Sequence, residues 1–293
     1  MRVLLPVDGS KASFEAAKYL SQIQGPETME ITVLTVIGLP KISLANSASN
    51  ELDQFVARSK QNDELVFTRV RECFAGGNAS LRHVSIQGHI GHSIVSVAED
   101  LNVELIVMGA TGRSRHEHLV LGSVSEYVTA NAPCSVLVVR PVPESNSHSQ
   151  NVRITLAYDD SAASRAAAQR VGDIKWSADT EVEVLSVVPI HVVHPLDTEA
   201  IEVPRSEDEL RNVEEYAAEA MRQLTNRGIR AHTKIVMARH VGIQIAAESR
   251  TNPTDLIVLG ATGQTGMARP ILGSVSQYVV RHAIQPVWIV RER

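Results

Sequence analysis

At 293 residues, 44% hydrophobic and 21% charged, the chain has the composition of a soluble globular protein and enough length for two ordinary domains. A net charge of −5 supplies no general attraction to nucleic acid or anionic membranes, and Cys73 and Cys134, far apart and outside any Cys-x-x-Cys, frame neither a disulfide scaffold nor a zinc site. No apolar run approaches the ~18 residues of a membrane span, and the N-terminus reaches Asp8 too early for a signal peptide, so a reducing cytoplasm is the expected compartment.

Val3 to Val7 is a short apolar run bounded by Asp8-Gly9-Ser10, the pattern of a buried parallel strand followed by a capped helix. Ala16, Leu20 and Ile23 give that helix one apolar face, ending near Gly25-Pro26. Ile31 to Ile37 is β-branched and reads as a second strand, and Gly38 to Asn50 as a long polar loop. Helical spacing returns from Glu51 to about Ala75 and stops at Gly76-Gly77-Asn78. A strand over Leu81 to Ile86, a helix over Ser93 to Leu101, a strand over Leu105 to Met108, a helix over Ser123 to Asn131 and a strand over Val136 to Val139 complete the half.

The second half repeats this order. Gly109-Ala110-Thr111-Gly112, nine residues, then Gly122-Ser123 recurs 151 positions later as Gly260-Ala261-Thr262-Gly263, nine residues, then Gly273-Ser274. Arg2 to Asp8 matches Arg153 to Asp159 at the same offset. Strands fall at Ile154 to Tyr158, Val182 to Val188, Ala231 to Val236, Leu256 to Leu259 and Val287 to Val290, with helices over Ser161 to Val171 and Leu210 to Leu224. Ser206 and Glu209 form a capping box, and Gly228 is a helix stop. A period this long means duplicated domains, since solenoid repeats run to ~20–50 residues. Pro141 to Gln150 has no apolar periodicity, so the expected domains are 1–142 and 151–293, joined by a linker over 143–150. Alternating apolar strands and helices imply a parallel α/β sheet in each.

Both glycine stretches read as strand, loop, helix, the arrangement that presents a helix N-terminus to phosphate. Gly109, Gly112 and Gly122 are expected to allow positive φ and close ligand approach. Ser123 with Glu126, and Ser274 with Gln277, have the spacing of capping boxes. The competing reading of either stretch is a packing turn. In an open parallel sheet a ligand lies beyond the carboxyl strand ends, which Asp8 and the glycine loop both follow.

These motifs, the first-strand aspartates and the final strands Val136 to Val139 and Val287 to Val290 give both halves a resemblance to the ATP-binding branch of the universal stress protein family. The resemblance covers nearly the whole chain. It implies two Rossmann-like, adenine nucleotide alpha hydrolase-like domains, each a five-stranded parallel sheet of order 3-2-1-4-5. It places an adenine end at Pro6, Val7, Asp8 and Val36 in the first half, and at Ala157, Tyr158, Asp159 and Val187 in the second. Phosphates fall to Met108, Gly109, Gly112, Arg113, Gly122, Ser123, Val124 and Ser125. Their counterparts are Leu259, Gly260, Gly263, Gln264, Gly273, Ser274, Val275 and Ser276. It further implies ATP as ligand with Mg2+ or Mn2+, pairing of two such modules within the chain, a further homodimer, and an unidentified regulatory protein partner. Two departures make the second site electrostatically poorer. Gln264 stands where Arg113 offers a charge-assisted phosphate contact worth roughly 1.5–3 kcal/mol, and Asp160 replaces Gly9.

Asp8 and Asp159 have two readings, a hydrogen-bond acceptor for an adenine amino group or a helix cap. His116-Glu117-His118 lacks a third ligand and reads as a solvated loop rather than a metal site. No P-loop, dinucleotide fingerprint or nucleophile elbow is present, and no general base is fixed by the motif. The chain therefore reads as a nucleotide-binding regulatory protein of the stress response. Its alternatives are a slow ATPase or autophosphorylating protein, with Ser123 or Ser274 as acceptor, and a dimerisation module that binds no nucleotide.

Overall fold

The computed structural model describes residues 1–23, 29–38, 48–77, 79–112, 121–140, 152–193, 201–203, 206–264 and 272–292. The chain divides into two compact units, Met1–Pro141 and Val142–Arg293. In the first, β1 (Arg2–Pro6), α1 (Lys11–Gln22), β2 (Met29–Ile37), α2 (Ala48–Cys73) and β3 (Ala79–Gln87) are followed by α3 (Ile90–Asp100), β4 (Leu105–Gly109), α4 (Ser123–Asn131) and β5 (Ser135–Val139). The second unit opens with β6 (Arg153–Ala157), α5 (Ala162–Asp173) and β7 (Glu181–Pro189), then β8 (His191–Val193) and β9 (Ile201–Val203). It continues through α6 (Glu207–Asn226), β10 (Arg230–Ala238), α7 (Val241–Thr251), β11 (Leu256–Gly260), α8 (Ser274–His282) and β12 (Val287–Val290).

Strands pair in parallel in the order β3-β2-β1-β4-β5 in the first unit and β10-β7-β6-β11-β12 in the second, the 3-2-1-4-5 order that the resemblance implies. Central strands such as β4 and β11 are buried at every residue, as expected where helices cover both faces. The outer strand β3 instead alternates half-buried and exposed positions along most of its length. At the amino end of the sheet, the Arg2 amide donates to Glu104 Oε2 at 2.7 Å and the Arg153 amide to Asp255 Oδ2 at 2.9 Å. The duplication thus extends to side-chain staples.

Helix starts and stops follow local chemistry. Ser10 and Ser161 cap α1 and α5 by accepting the amides of Ser13 and Ser164, and Ser206 with Glu209 closes the expected capping box of α6. Gly76 and Gly228, at φ of +88° and +81°, end α2 and α6. Two features differ from the sequence reading. The second unit carries a short antiparallel pair, β8 with β9, whose three-residue strands are too brief for periodicity to register. Helix α7 runs unbroken to Thr251, although its mixed polarity gives no clean face.

Candidate functional site

Beyond the carboxyl ends of β1, β2 and β4, the first unit holds a cavity of about 800 Å³. Pro6, Val7 and Asp8 approach it from the end of β1 and Val36 from β2. Met108 and Gly109 end β4, Gly112 lies in the loop beyond, and Gly122, Ser123, Val124 and Ser125 bring in the start of α4. Those are the first-half positions expected from sequence, apart from Arg113, which lies outside the described residues, as do His116, Glu117 and His118.

The glycines work differently from the expectation of positive φ. Among the described residues, left-handed glycines are Gly9, Gly76 and Gly228. Gly109 is required by close packing instead, because a Cβ there would lie 2.7 Å from the backbone of Ala12 in α1. Gly260 meets Ala163 at the same distance. A Cβ on Gly112 would fall 3.1 Å from Asp8 Oδ2, and one on Gly263 3.0 Å from Asp159 Oδ2. The loops are thereby pressed against the first-strand aspartates.

The start of α4 also corrects the sequence reading. Gly122 is the N-cap residue at φ −67°, ψ 151°, with no side-chain cap, and Ser123 is the first helical residue. Ser123 and Glu126 therefore sit one position too far along to form a capping box, and Ser274 and Gln277 are displaced in the same way behind Gly273. The loop is held by backbone, with the Gly122 amide donating to Ala110 O at 2.8 Å. Ser125 Oγ donates to Gly109 O at 2.9 Å. The amides of Ser123, Val124 and Ser125 have no carbonyl of α4 to bond and form the positive end of its dipole.

Asp8 has the geometry of a turn former, its Oδ1 accepting the Ser10 amide at 3.0 Å. Asp159 accepts both the amide and the hydroxyl of Ser161, at 3.1 and 2.6 Å. Neither aspartate is the helix cap, a place that Ser10 and Ser161 hold; each closes the turn that leads into the cap residue.

The second crevice keeps this backbone and changes the side chains. Tyr158, the counterpart of Val7, is 6% exposed, donates its hydroxyl to Asp160 Oδ1 at 3.2 Å and lies with its ring 5.8 Å from that of Tyr216. Asp160 adopts φ +57° where Gly9 has +79°, and its carboxylate pairs with Arg165 at 3.1 Å. Gln264 Nε2 donates to the Asp159 carbonyl at 2.6 Å. Of the other expected positions, Leu259 and Gly260 end β11 in the core, Ala157 ends β6, and Val187 is half-buried in β7. Gly263 is exposed, Gly273 caps α8 and Ser274 and Val275 open it, while Ser276 Oγ donates to Gly260 O at 2.7 Å.

The universal stress protein family matches residues 1–140 and again 151–291. The chain belongs to that family. A universal stress protein of Methanocaldococcus jannaschii is 32% identical over 140 residues, covering 47% of this chain and 81% of its own. In fold, the chain resembles a universal stress protein from Archaeoglobus fulgidus, with TM-score 0.65, 24% identity, and coverage of 99% of this chain and 96% of the other. A functionally unknown protein of Pseudomonas aeruginosa follows at TM-score 0.57 and 15% identity, covering 99% and 92%.

Within this universal stress protein, sequence reasoning missed one wall of the first cavity. Arg58, Ser59, Asn62 and Asp63 of α2 line it, at the spacing of one helix face. Polar residues on an amphipathic helix read as solvent-facing, and nothing in the glycine repeat marks them. The missed partner of Tyr158 has the same origin. Burial, followed by the nearby Asp159 and Asp160, pushes the Tyr216 hydroxyl up to about 12. Burial and Asp160 raise that of Tyr158 as well. Both phenols are thus held neutral beside carboxylates.

Proposed function

We propose that the first domain binds ATP in its cavity, and that occupancy biases a conformation or the docking of a regulatory protein in the cytoplasm. One observation carries this reading. A single cavity joins an apolar base-sized end, formed by Val7, Val36 and Ile37, to the first turn of α4, whose amides and dipole suit phosphate oxygens. Its size lies within the range of small-molecule pockets. Gly109 and Gly112 let the β4 loop lie flat against α1 and Asp8, so that loop and helix turn converge on one anion position.

The residues fit a nucleotide better than a resident metal. Among the described residues no group of three or more His, Cys, Asp or Glu side chains is placed to hold an ion. A Mg2+ or Mn2+ accompanying ATP is held chiefly by the phosphates and water, with Ser123 the hydroxyl closest in role, and neutralises phosphate charge. The first domain binds, orients and shields. No described side chain lining the phosphate end is a histidine or lysine, which favours a binding role over rapid hydrolysis.

Native mass spectrometry of the full chain with added ATP and Mg2+ tests the reading. One equivalent of adenine nucleotide is expected. Persistent absence of bound nucleotide at millimolar ATP overturns it.

A further inference from the structure

The α2 wall of the first cavity contains a carboxylate that the family pattern does not assign. Asp63 is only 8% exposed, yet it lines the cavity beside Thr35 and Val36. Ser85, paired with Thr35 across β3 and β2, donates its hydroxyl to Asp63 Oδ2 at 2.6 Å and fixes the carboxyl plane. An ionised carboxylate this buried is stabilised by each further donor it accepts. A carboxylate carries about four lone-pair sites, so Asp63 has capacity beyond the Ser85 hydroxyl to accept from a ligand in the cavity it lines.

Position decides which donor. The anion end lies at β4 and α4, whereas Asp63 stands over β2 and β3. The three strand spacings from β4 to β3 amount to roughly 14 Å. That separation puts Asp63 beside the part of a nucleotide farthest from its phosphates, the outer edge of the base. Asp8 lines the same cavity, with its Oδ1 accepting the Ser10 amide at 3.0 Å.

Resting on the nucleotide reading above, we propose that Asp63, positioned by Ser85, selects adenine by accepting a hydrogen bond from its exocyclic amino group. Adenine presents a donor at this place, whereas guanine presents the O6 acceptor, which a carboxylate repels. The second domain lacks the orienting hydroxyl, because Ile235 stands opposite Ser186 in the register where Ser85 stands opposite Thr35.

Calorimetric titration of the full chain with ATP and with GTP, each with Mg2+, is the test. The unaltered protein is expected to prefer ATP by about a hundredfold or more. Asp63→Asn is nearly isosteric and supplies a donor as well as an acceptor, so it should narrow that preference by about tenfold or more. Ser85→Ala removes only the orienting hydroxyl and should narrow it by a smaller factor; this variant decides the matter if Asp63→Asn does not give the native circular dichroism spectrum. A ratio unchanged in a folded variant, or equal affinity for ATP and GTP at the outset, overturns the role of Asp63 and leaves nucleotide binding standing. Failure of the unaltered chain to bind either nucleotide overturns both.

Discussion

At the end of β1, Val7 lines a cavity of about 800 Å³ and Gly9 follows in a left-handed conformation; at the end of β6, Tyr158 and Asp160 hold the same two positions and are joined to each other by a hydrogen bond. The backbone between them has hardly changed. The left-handed residue persists, glycine in one domain and aspartate in the other, an exchange that asparagine and aspartate tolerate better than most residues. The forbidden Cβ at Gly109 recurs at Gly260, and the loop hydrogen bond from Gly122 to Ala110 recurs from Gly273 to Ala261 at the same 2.8 Å. Duplication has preserved the path of the chain while the side chains at the strand ends have diverged. A glycine pattern therefore reports how the loop packs, and the residues facing it report what the loop is for.

The comparison breaks most directly by exchanging its central pair. Val7→Tyr introduces beside the first cavity the side chain that Tyr158 carries at the matching position, and should lower ATP affinity by about a hundredfold, equivalent to about 2.7 kcal/mol. Calorimetry reads the change, and an unaltered affinity would mean that the tyrosine does not define the difference. A smaller effect probes what the domains share. Gly109→Ala and Gly260→Ala each press a methyl group into helix backbone and should destabilise their own domain by about 1–3 kcal/mol. Urea denaturation followed by circular dichroism should give similar losses for the two, and a loss confined to one would show that the frames are not equivalent.

The smallest expected effect concerns pH. The Tyr216 hydroxyl is raised from its ordinary 10.0 to about 12 in the folded protein, so its contribution to stability is complete below pH 10 and disappears as pH rises through about 12. Ultraviolet titration of the folded chain should show late tyrosinate absorbance from Tyr158 and Tyr216, whose amplitude Tyr216→Phe lowers. A late amplitude left whole, with the loss falling near pH 10 instead, would place the Tyr216 phenol in water and overturn the contrast with the open cavity.

Sequence made the frame legible because its causes are local and repeated. Apolar runs gave strands, Ser206 and Glu209 gave a cap, and the constant offset of 151 gave two domains in one reading. The first-half positions that line the cavity were legible for the same reason, since they cluster at strand ends and the start of α4. Capping at α4 was misread by one position, because a serine after glycine satisfies the pattern whether it lies before or within the first turn. The α2 wall and the Tyr158–Tyr216 pair depend on how helices lie over the sheet, which no local pattern encodes. The divergence at Asp160 was visible as charge, whereas its consequence, an aspartate holding a tyrosine and an arginine at once, required three dimensions.

Helix α4 begins without a side chain of its own to close its first turn. In the language of hydrogen exchange, such an end opens and closes locally at little free-energy cost, and its amides exchange through that opening rather than through global unfolding. An anion seated on the three amides would couple the two, since every opening would first require its release. The mobility of one helical turn then becomes a measure of ligand concentration, carried along α4 toward β5 with no hinge, lid or change of fold.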